Sequence, residues 1–149
     1  MTALAAAGAG FLAAVLWFDL MFDVQLLGRR RCDEAGAVAL SAAYYRRVTT
    51  DAAPMNYLVA AVMLVTLAAL GAEVAGDEVP AATAWASLAL VVPAIAVALL
   101  HTVPAAVRLG TGDDGPAERA SLARAILRDH LLCLVLVSAL IALQLAAAL

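Results

Sequence analysis

Four apolar stretches, each long enough to cross a lipid bilayer, constrain this chain more than any other feature of its sequence. A membrane-spanning helix needs about 20 mainly apolar residues. Of the 149 residues, 66% are hydrophobic, against about 45–50% in soluble domains. Ala and Leu dominate, which favours helices over the alternating strands of a β-barrel. The sequence therefore predicts a single all-α domain over residues 1–149, an antiparallel four-helix integral membrane bundle. The predicted spans are residues 3–27, 54–75, 80–109 and 126–148.

The arginines predict the orientation of this bundle. All nine basic residues are arginines, and they lie in or beside the first and third connections: Arg29, Arg30, Arg31, Arg46, Arg47, Arg108, Arg119, Arg124 and Arg128. Because basic residues accumulate on the cytoplasmic side of membrane proteins, these two connections are predicted to be cytoplasmic and both termini to lie outside. We expect a multi-pass protein of the cell's inner (plasma) membrane.

Ionisable residues inside the predicted spans are the candidate functional residues. A charge at the centre of a bilayer costs roughly 2.5–3.5 kcal/mol on insertion scales, so such residues usually have a role. Asp19 and Asp23 lie four residues apart in the first span and hence on one helix face. His101 lies in the third span and His130 in the fourth. At about 1.5 Å per residue, each lies roughly 9–15 Å from a loop arginine, so we expect them to meet in the cytoplasmic half.

This set of side chains suits more than one role. Asp19, Asp23, His101 and His130 could act as acid–base groups or hold a transition metal such as iron, copper or zinc. Alternatively, they pair with one another or with an arginine, which is how membrane proteins tolerate buried charge. No single helix carries HxxxH or ExxH spacing, which favours ion pairing. A haem between His101 and His130 ranks below the metal.

Further polar residues near the cytoplasmic ends are candidates for binding a substrate: Asn56, Arg46, Arg47, Arg108 and Arg128. The arginines could bind an anionic headgroup, or they could simply anchor the helices at the membrane surface. Tyr44 and Tyr45 suit the headgroup level, whereas Glu73 is interpreted as part of a solvated external loop. No basic stripe is interleaved with aromatic residues, so no nucleic-acid partner is expected.

Three segments of the chain resemble the anthrone-oxygenase-like family of small membrane proteins. They are YYRRVTTDAAPMNYLVAAVML at the second span, HTVPAAVRLG closing the third and RDHLLCLVLVSALIALQL opening the fourth. The resemblance extends over most of the chain and implies a four-helix bundle whose pocket oxidises a small aromatic or quinone-like molecule. The segment LWFDLMFDVQ, with its two carboxylates, departs from that family, so no residue role is transferred.

Three functional hypotheses follow. The first is a membrane-embedded oxidoreductase that acts on a small hydrophobic or quinone-like molecule. The second is a non-catalytic subunit or assembly factor of a larger membrane complex. The third is a small proton-coupled carrier. The expected partners are the lipid bilayer and either further copies of the chain or other membrane subunits.

Overall fold

Helices account for nearly all of the structure. The computed structural model describes residues 1–27, 31–51, 53–77 and 79–148, with the side chains of residues 31–33 and 53 left aside. Arg29, Arg30 and Glu78 lie outside the described residues. The α-helices are α1 (Thr2–Asp23), α2 (Arg31–Arg46), α3 (Ala53–Ala75), α4 (Ala81–Val97), α5 (Val103–Thr111) and α6 (Pro116–Ala148). A 3₁₀ turn follows α1 (Val24–Leu26), and π-helical segments follow α2 (Arg47–Asp51) and α4 (Ala98–Thr102).

Among the described residues, four continuous helical stretches are long and apolar enough to cross a membrane, which confirms the predicted number of spans. They are Thr2–Leu26, Pro54–Ala75, Ala81–Thr111 and Pro116–Ala148. The last includes the polar segment before the predicted span at residue 126, because this segment continues the same helix from Pro116, as Pro116 and Glu118 predict for a first turn. With 33 residues, α6 is about 50 Å long, well beyond the roughly 30 Å hydrocarbon layer. Its first turns therefore project past the membrane core.

The spans form the predicted antiparallel four-helix bundle. Both α1 and α4 pack against α3 and α6, so sequential spans are neighbours in a closed ring. Small side chains bring these helices close together. At Gly8 of α1, an added methyl group would collide with the hydroxyl of Thr66 on α3. The shared apolar core consists of Ala5, Ala9, Leu12, Ala69, Leu70, Val91, Ala94, Ile95, Cys133, Val137 and Leu140.

A second, smaller core joins α2 to the end of the bundle that carries α5 and the start of α6. The α2 helix packs against α5 and α6. The backbones of α2 and α5 approach closely, since a methyl group at Gly110 would lie 2.9 Å from both the Cα and the N of Arg46. The core residues are Val38, Ala42, Tyr45, Ala105, Ala106, Leu109, Ala123 and Ile126. This contact holds α2 beside the polar residues at the same end of the spans.

The third span departs from a regular α-helix near the end that leads into the third connection. The π-helical segment Ala98–Thr102 separates α4 from α5, and Pro104 occupies the first turn of α5. Proline has no backbone N–H, so it leaves an earlier carbonyl without its helical partner. In this segment the Thr102 hydroxyl donates a 3.3 Å hydrogen bond to the carbonyl of Val97. Single π-helical turns of this kind are often found at functional sites, and this one carries His101.

Candidate functional site

Two adjacent tyrosines of α2 donate hydrogen bonds to the two carboxylates of α1. The Tyr44 hydroxyl donates a 2.6 Å hydrogen bond to Asp19 Oδ1, and the Tyr44 ring stacks on Phe22 with centroids 4.0 Å apart. The Tyr45 hydroxyl lies 2.8 Å from both oxygens of Asp23. Asp23 is fully buried and Tyr45 is 3% exposed. Because a buried carboxylate is tolerated only when it is paired or hydrogen-bonded, α2 is part of what holds these charges in the bundle.

His130 connects the same carboxylates to α6. Its Nδ1 lies 2.7 Å from Asp23 Oδ2, and its Nε2 lies 3.7 Å from Asp19 Oδ2. Because an ionised carboxylate can only accept a hydrogen bond, this contact with an ionised Asp23 requires the proton on Nδ1. Asp19, Asp23 and His130 therefore lie together, as the sequence predicts. Their catalytic role stays a prediction.

The two tyrosines are fixed hydrogen-bond donors in this cluster. Burial raises the pKa of Tyr44, and its hydrogen bond to Asp19 raises the pKa further. Burial also raises the pKa of Tyr45, with the negative charge of Asp23 acting in the same direction. Both phenols therefore keep their protons throughout the physiological pH range. Sequence reasoning missed both residues, because their hydroxyls meet residues more than 20 positions away.

His101 lies apart from this cluster. Its Nδ1 forms a short hydrogen bond with Asp129 Oδ2, and its side chain is 54% exposed. The Thr102 hydroxyl donates a 3.4 Å hydrogen bond to the same oxygen of Asp129, while Arg128 Nε lies 3.9 Å from the other oxygen. One histidine therefore faces the outside of the bundle, whereas His130 is buried inside it. This arrangement offers no support for a haem between the two rings.

The four residues predicted as metal ligands divide between these two places. Asp19, Asp23 and His130 share one cluster, and His101 pairs elsewhere with Asp129. In the described ranges, no group of three or more His, Cys, Asp or Glu side chains is arranged to hold a metal ion. Each histidine instead pairs with a carboxylate, His130 with Asp23 and His101 with Asp129, which is the arrangement that the ion-pairing alternative describes.

The residues predicted to bind a substrate are dispersed. Asn56 Nδ2 donates a 3.0 Å hydrogen bond to the carbonyl of Thr49, so its amide links the π-helical turn to α3. Arg46 and Arg47 are exposed at the end of α2. Arg128 is 76% exposed on α6.

Arg108 is held by the third connection. Its guanidinium donates to Asp114 Oδ1 at 2.8 Å and to Glu118 Oε1 at 3.4 Å. Neither Arg108 nor any of the other four predicted substrate-binding residues lines the cavity described next. A shared role in substrate binding stays a prediction without a common pocket.

A cavity of about 130 Å³ lies inside the bundle beside the Asp19 cluster. All four spans contribute to its walls, which are mainly apolar side chains such as Leu16 and Met63. Its polar end is formed by Asp19, Thr102 and His130. The cavity can therefore accommodate a small group that is apolar along most of its length and polar at one end.

A second buried polar cluster lies at the opposite end of the bundle. Glu73 is 1% exposed, so its interpretation as part of a solvated loop is wrong. Gln144 Nε2 donates to Glu73 Oε2 at 3.0 Å and to the hydroxyl of Ser87 at 2.9 Å. The last turn of α3 turns this carboxylate towards α4 and α6, and hydropathy alone cannot reveal that direction. Gln144 and Ser87 were detectable as polar residues inside apolar spans.

The comparisons with known proteins identify the family of this four-helix protein. A family model described as ER membrane protein SH3, of the SHR3 chaperone family, matches residues 1–148. The chain belongs to this family. No curated protein matches it, and no solved structure does. As a member of the SHR3 chaperone family, the chain is a small polytopic membrane protein.

Membership of the SHR3 chaperone family corrects two expectations. The resemblance to anthrone-oxygenase-like proteins is wrong, because Ala- and Leu-rich spans with arginines at their ends are common to many membrane proteins and are not diagnostic. The expected plasma-membrane location is also wrong, since this is a family of ER membrane proteins. The distribution of arginines orients a chain relative to the cytoplasm but does not specify which membrane contains it. The oxidoreductase hypothesis loses the resemblance on which its chemistry depended.

Proposed function

We propose that this protein is an assembly factor of the ER membrane, a chaperone that binds other membrane proteins before they reach their final packing. The observation that carries the proposal is the match of a chaperone family model to residues 1–148. The match spans all four transmembrane stretches and the α2 helix, so the proposal concerns the whole bundle. It corresponds to the second of the three hypotheses drawn from the sequence.

The outer surface of the bundle supports this proposal. Between helices in a membrane the hydrophobic effect is weak, so association depends on close packing and polar contacts. The bundle presents large apolar side chains outward. In the isolated chain, 62–80% of the surface of each of these residues is exposed: Trp17, Phe18, Tyr57 and Leu100. His101 adds an exposed polar group beside Leu100. Such a surface suits reversible contact with the helices of another membrane protein.

The buried cluster of Asp19, Asp23 and His130 takes a structural role under this proposal. Its carboxylates accept hydrogen bonds from Tyr44 and Tyr45, and Asp23 pairs with His130. These contacts join α1, α2 and α6 at the cytoplasmic end. No contact within the described ranges specifically favours a proton-coupled carrier, so no second function is proposed.

An aggregation assay tests the proposal. A panel of polytopic membrane proteins is synthesised into ER microsomes that contain or lack this protein, and native electrophoresis measures the aggregated fraction of each. We expect a subset of the panel to aggregate several-fold more in its absence. Single-span membrane proteins and secreted proteins are the controls, and they should not change.

Two results would count against an assembly factor. One is an unchanged aggregated fraction for every member of the panel. The other is an equal protective effect of an unrelated four-span protein of similar size, because this would indicate a bulk effect of added membrane protein.

A further inference from the structure

The cavity opens sideways, between α3 and the cytoplasmic half of the third span. The α3 helix packs against α4, but in the part of the chain that the structure describes its backbone approaches neither the π-helical segment Ala98–Thr102 nor α5. The two spans therefore diverge from the short connection between them towards the cytoplasmic end. Val59 and Met63 line the cavity on one side of this gap, and Ala98 and Val103 line it on the other. Val103 is 47% exposed at the rim, so the gap leads from the bilayer into the cavity.

The inner end of this cleft has an unused hydrogen-bond acceptor. Asp19 Oδ1 accepts from Tyr44, but the closest donor described for Asp19 Oδ2 is His130 Nε2 at 3.7 Å. That separation is too long for a hydrogen bond. The Asp19 side chain is 16% exposed and lines the cavity. An occupant of the cleft can therefore donate to this oxygen.

The charges around the cavity favour a cationic occupant. Two carboxylates, Asp19 and Asp23, face one imidazole, His130. Tyr44 and Tyr45 contribute donors but no charge. One imidazole can carry at most one positive charge, which is fewer than the two negative charges that the carboxylates can carry. A positive charge at the end of the cleft would complete the neutralisation.

The size of the cavity limits the occupant to one side chain. Its volume of about 130 Å³ is close to that of the roughly 150 Å³ engineered cavity that holds one benzene molecule. A whole helix does not fit. A lysine side chain has an apolar stem for the Met63 and Val103 walls and an ammonium group for Asp19.

We propose that the cleft between α3 and α5 receives a lysine side chain from a transmembrane helix of a second membrane protein, with its ammonium group on Asp19. This inference rests on the proposed chaperone function and specifies what the bundle binds. A lysine at mid-membrane costs roughly 2.5–3.5 kcal/mol on insertion scales. The cleft covers this side chain until its permanent partner within the same protein is in place.

A host–guest peptide experiment tests the inference. The probe is a fluorescent Ala/Leu transmembrane peptide with one guest residue, lysine or methionine, in the cytoplasmic half of the helix. Binding to the full-length labelled protein is measured by energy transfer in phosphatidylcholine vesicles. We expect the lysine peptide to bind about tenfold more tightly than the methionine peptide, which corresponds to about 1.4 kcal/mol.

Matched variants locate the effect in the cleft. Asp19→Asn keeps a polar group for Tyr44 but removes the charge, and it should abolish the preference for lysine. Ala98→Phe fills the cavity and should also abolish it, whereas Ala89→Phe, on an exposed position of α4, should leave it intact. Asp129→Asn removes a carboxylate outside the cavity and should likewise leave it intact.

The possible outcomes separate this inference from the proposed function. Equal binding of both peptides, or a lysine preference that survives in both Asp19→Asn and Ala98→Phe, overturns the cleft as the lysine site. If the wild-type protein still suppresses aggregation in that case, the chaperone proposal stands without it. If the lysine preference is present but no panel protein is protected, the cleft binds lysine and the chaperone proposal fails.

Discussion

At the residue scale, the carboxylates inside this membrane protein depend on donors that come from outside their own helix. Asp23 is fully buried, and its contacts reach Tyr45 on α2 and His130 on α6. A buried acceptor that loses its donor costs more than an ordinary hydrogen bond contributes, because the group has already been removed from water. Single hydroxyl or amide groups should therefore have measurable effects on stability.

Tyr45→Phe should lower the free energy of unfolding by about 1–3 kcal/mol, because it removes the phenol that donates to Asp23. The measurement is thermal or denaturant unfolding in detergent, followed by circular dichroism. Tyr57→Phe is the control, since Tyr57 is 76% exposed and should change stability little. Equal stability of the two variants would show that Tyr45 does not support the carboxylate.

Gln144→Leu should destabilise the bundle by about 1–3 kcal/mol, since it removes the hydrogen-bond donor of the buried Glu73. The double variant with Glu73→Leu should recover part of the loss, because no carboxylate is then left unpaired. Unfolding of the single and double variants forms a double-mutant cycle that isolates the coupling. Strictly additive losses would contradict the contact between these two side chains.

At the scale of the helices, small residues determine which spans can approach each other. Gly8 of α1 faces Thr66 of α3, and Gly110 of α5 faces the backbone of Arg46 on α2. Each of these contacts requires the absence of a Cβ atom. Towards the α5 end of the third span the opposite occurs, because the π-helical segment Ala98–Thr102 and α5 lie away from α3 and leave room for the cavity.

Gly8→Ala should destabilise the bundle by about 1–3 kcal/mol through overpacking against the Thr66 hydroxyl. Gly10→Ala is the matched control on the same helix, since nothing lies within 4 Å of its added methyl group. That change should be neutral or slightly stabilising, given the higher helix propensity of alanine. The comparison uses unfolding midpoints in one detergent, and Thr66→Ala should partly rescue Gly8→Ala. No difference between the two alanine variants would contradict the close approach of α1 and α3.

At the scale of the whole molecule, four spans place both termini on the same side of the membrane. The orientation of the bundle rests on the arginines of the first and third connections. Arg108 pairs with Asp114 and Arg124 pairs with Glu34 outside the apolar core, and we predict that this side of the bundle faces the cytoplasm. The polar cluster and the cleft would then lie in the cytoplasmic half.

An N-glycosylation acceptor added at either terminus should be modified in ER microsomes, because both termini are predicted to face the lumen. An acceptor inserted at residues 112–115 should remain unmodified, since that connection is predicted to be cytoplasmic. A gel shift that disappears on deglycosylation reports each result. The reverse pattern would invert the bundle and place the cleft in the lumenal half.

The sequence alone determined the fold class and the number of spans. The length of an apolar stretch is a local property of the sequence, and the thickness of the bilayer sets the length that a span requires. It also placed Asp19 and Asp23 on one face of a helix, since that depends only on helical periodicity. The family was decided by comparison, not by the residue pattern.

Only the tertiary structure decided which polar groups meet. Asp23 and His130 are 107 residues apart, and their contact depends on how α1 and α6 rotate about their own axes. Rotation likewise turned Glu73 into the bundle and His101 out of it. Ala- and Leu-rich helices have apolar residues on every face, so hydropathy does not specify that rotation. It follows from the packing of small residues and from hydrogen bonds between distant segments.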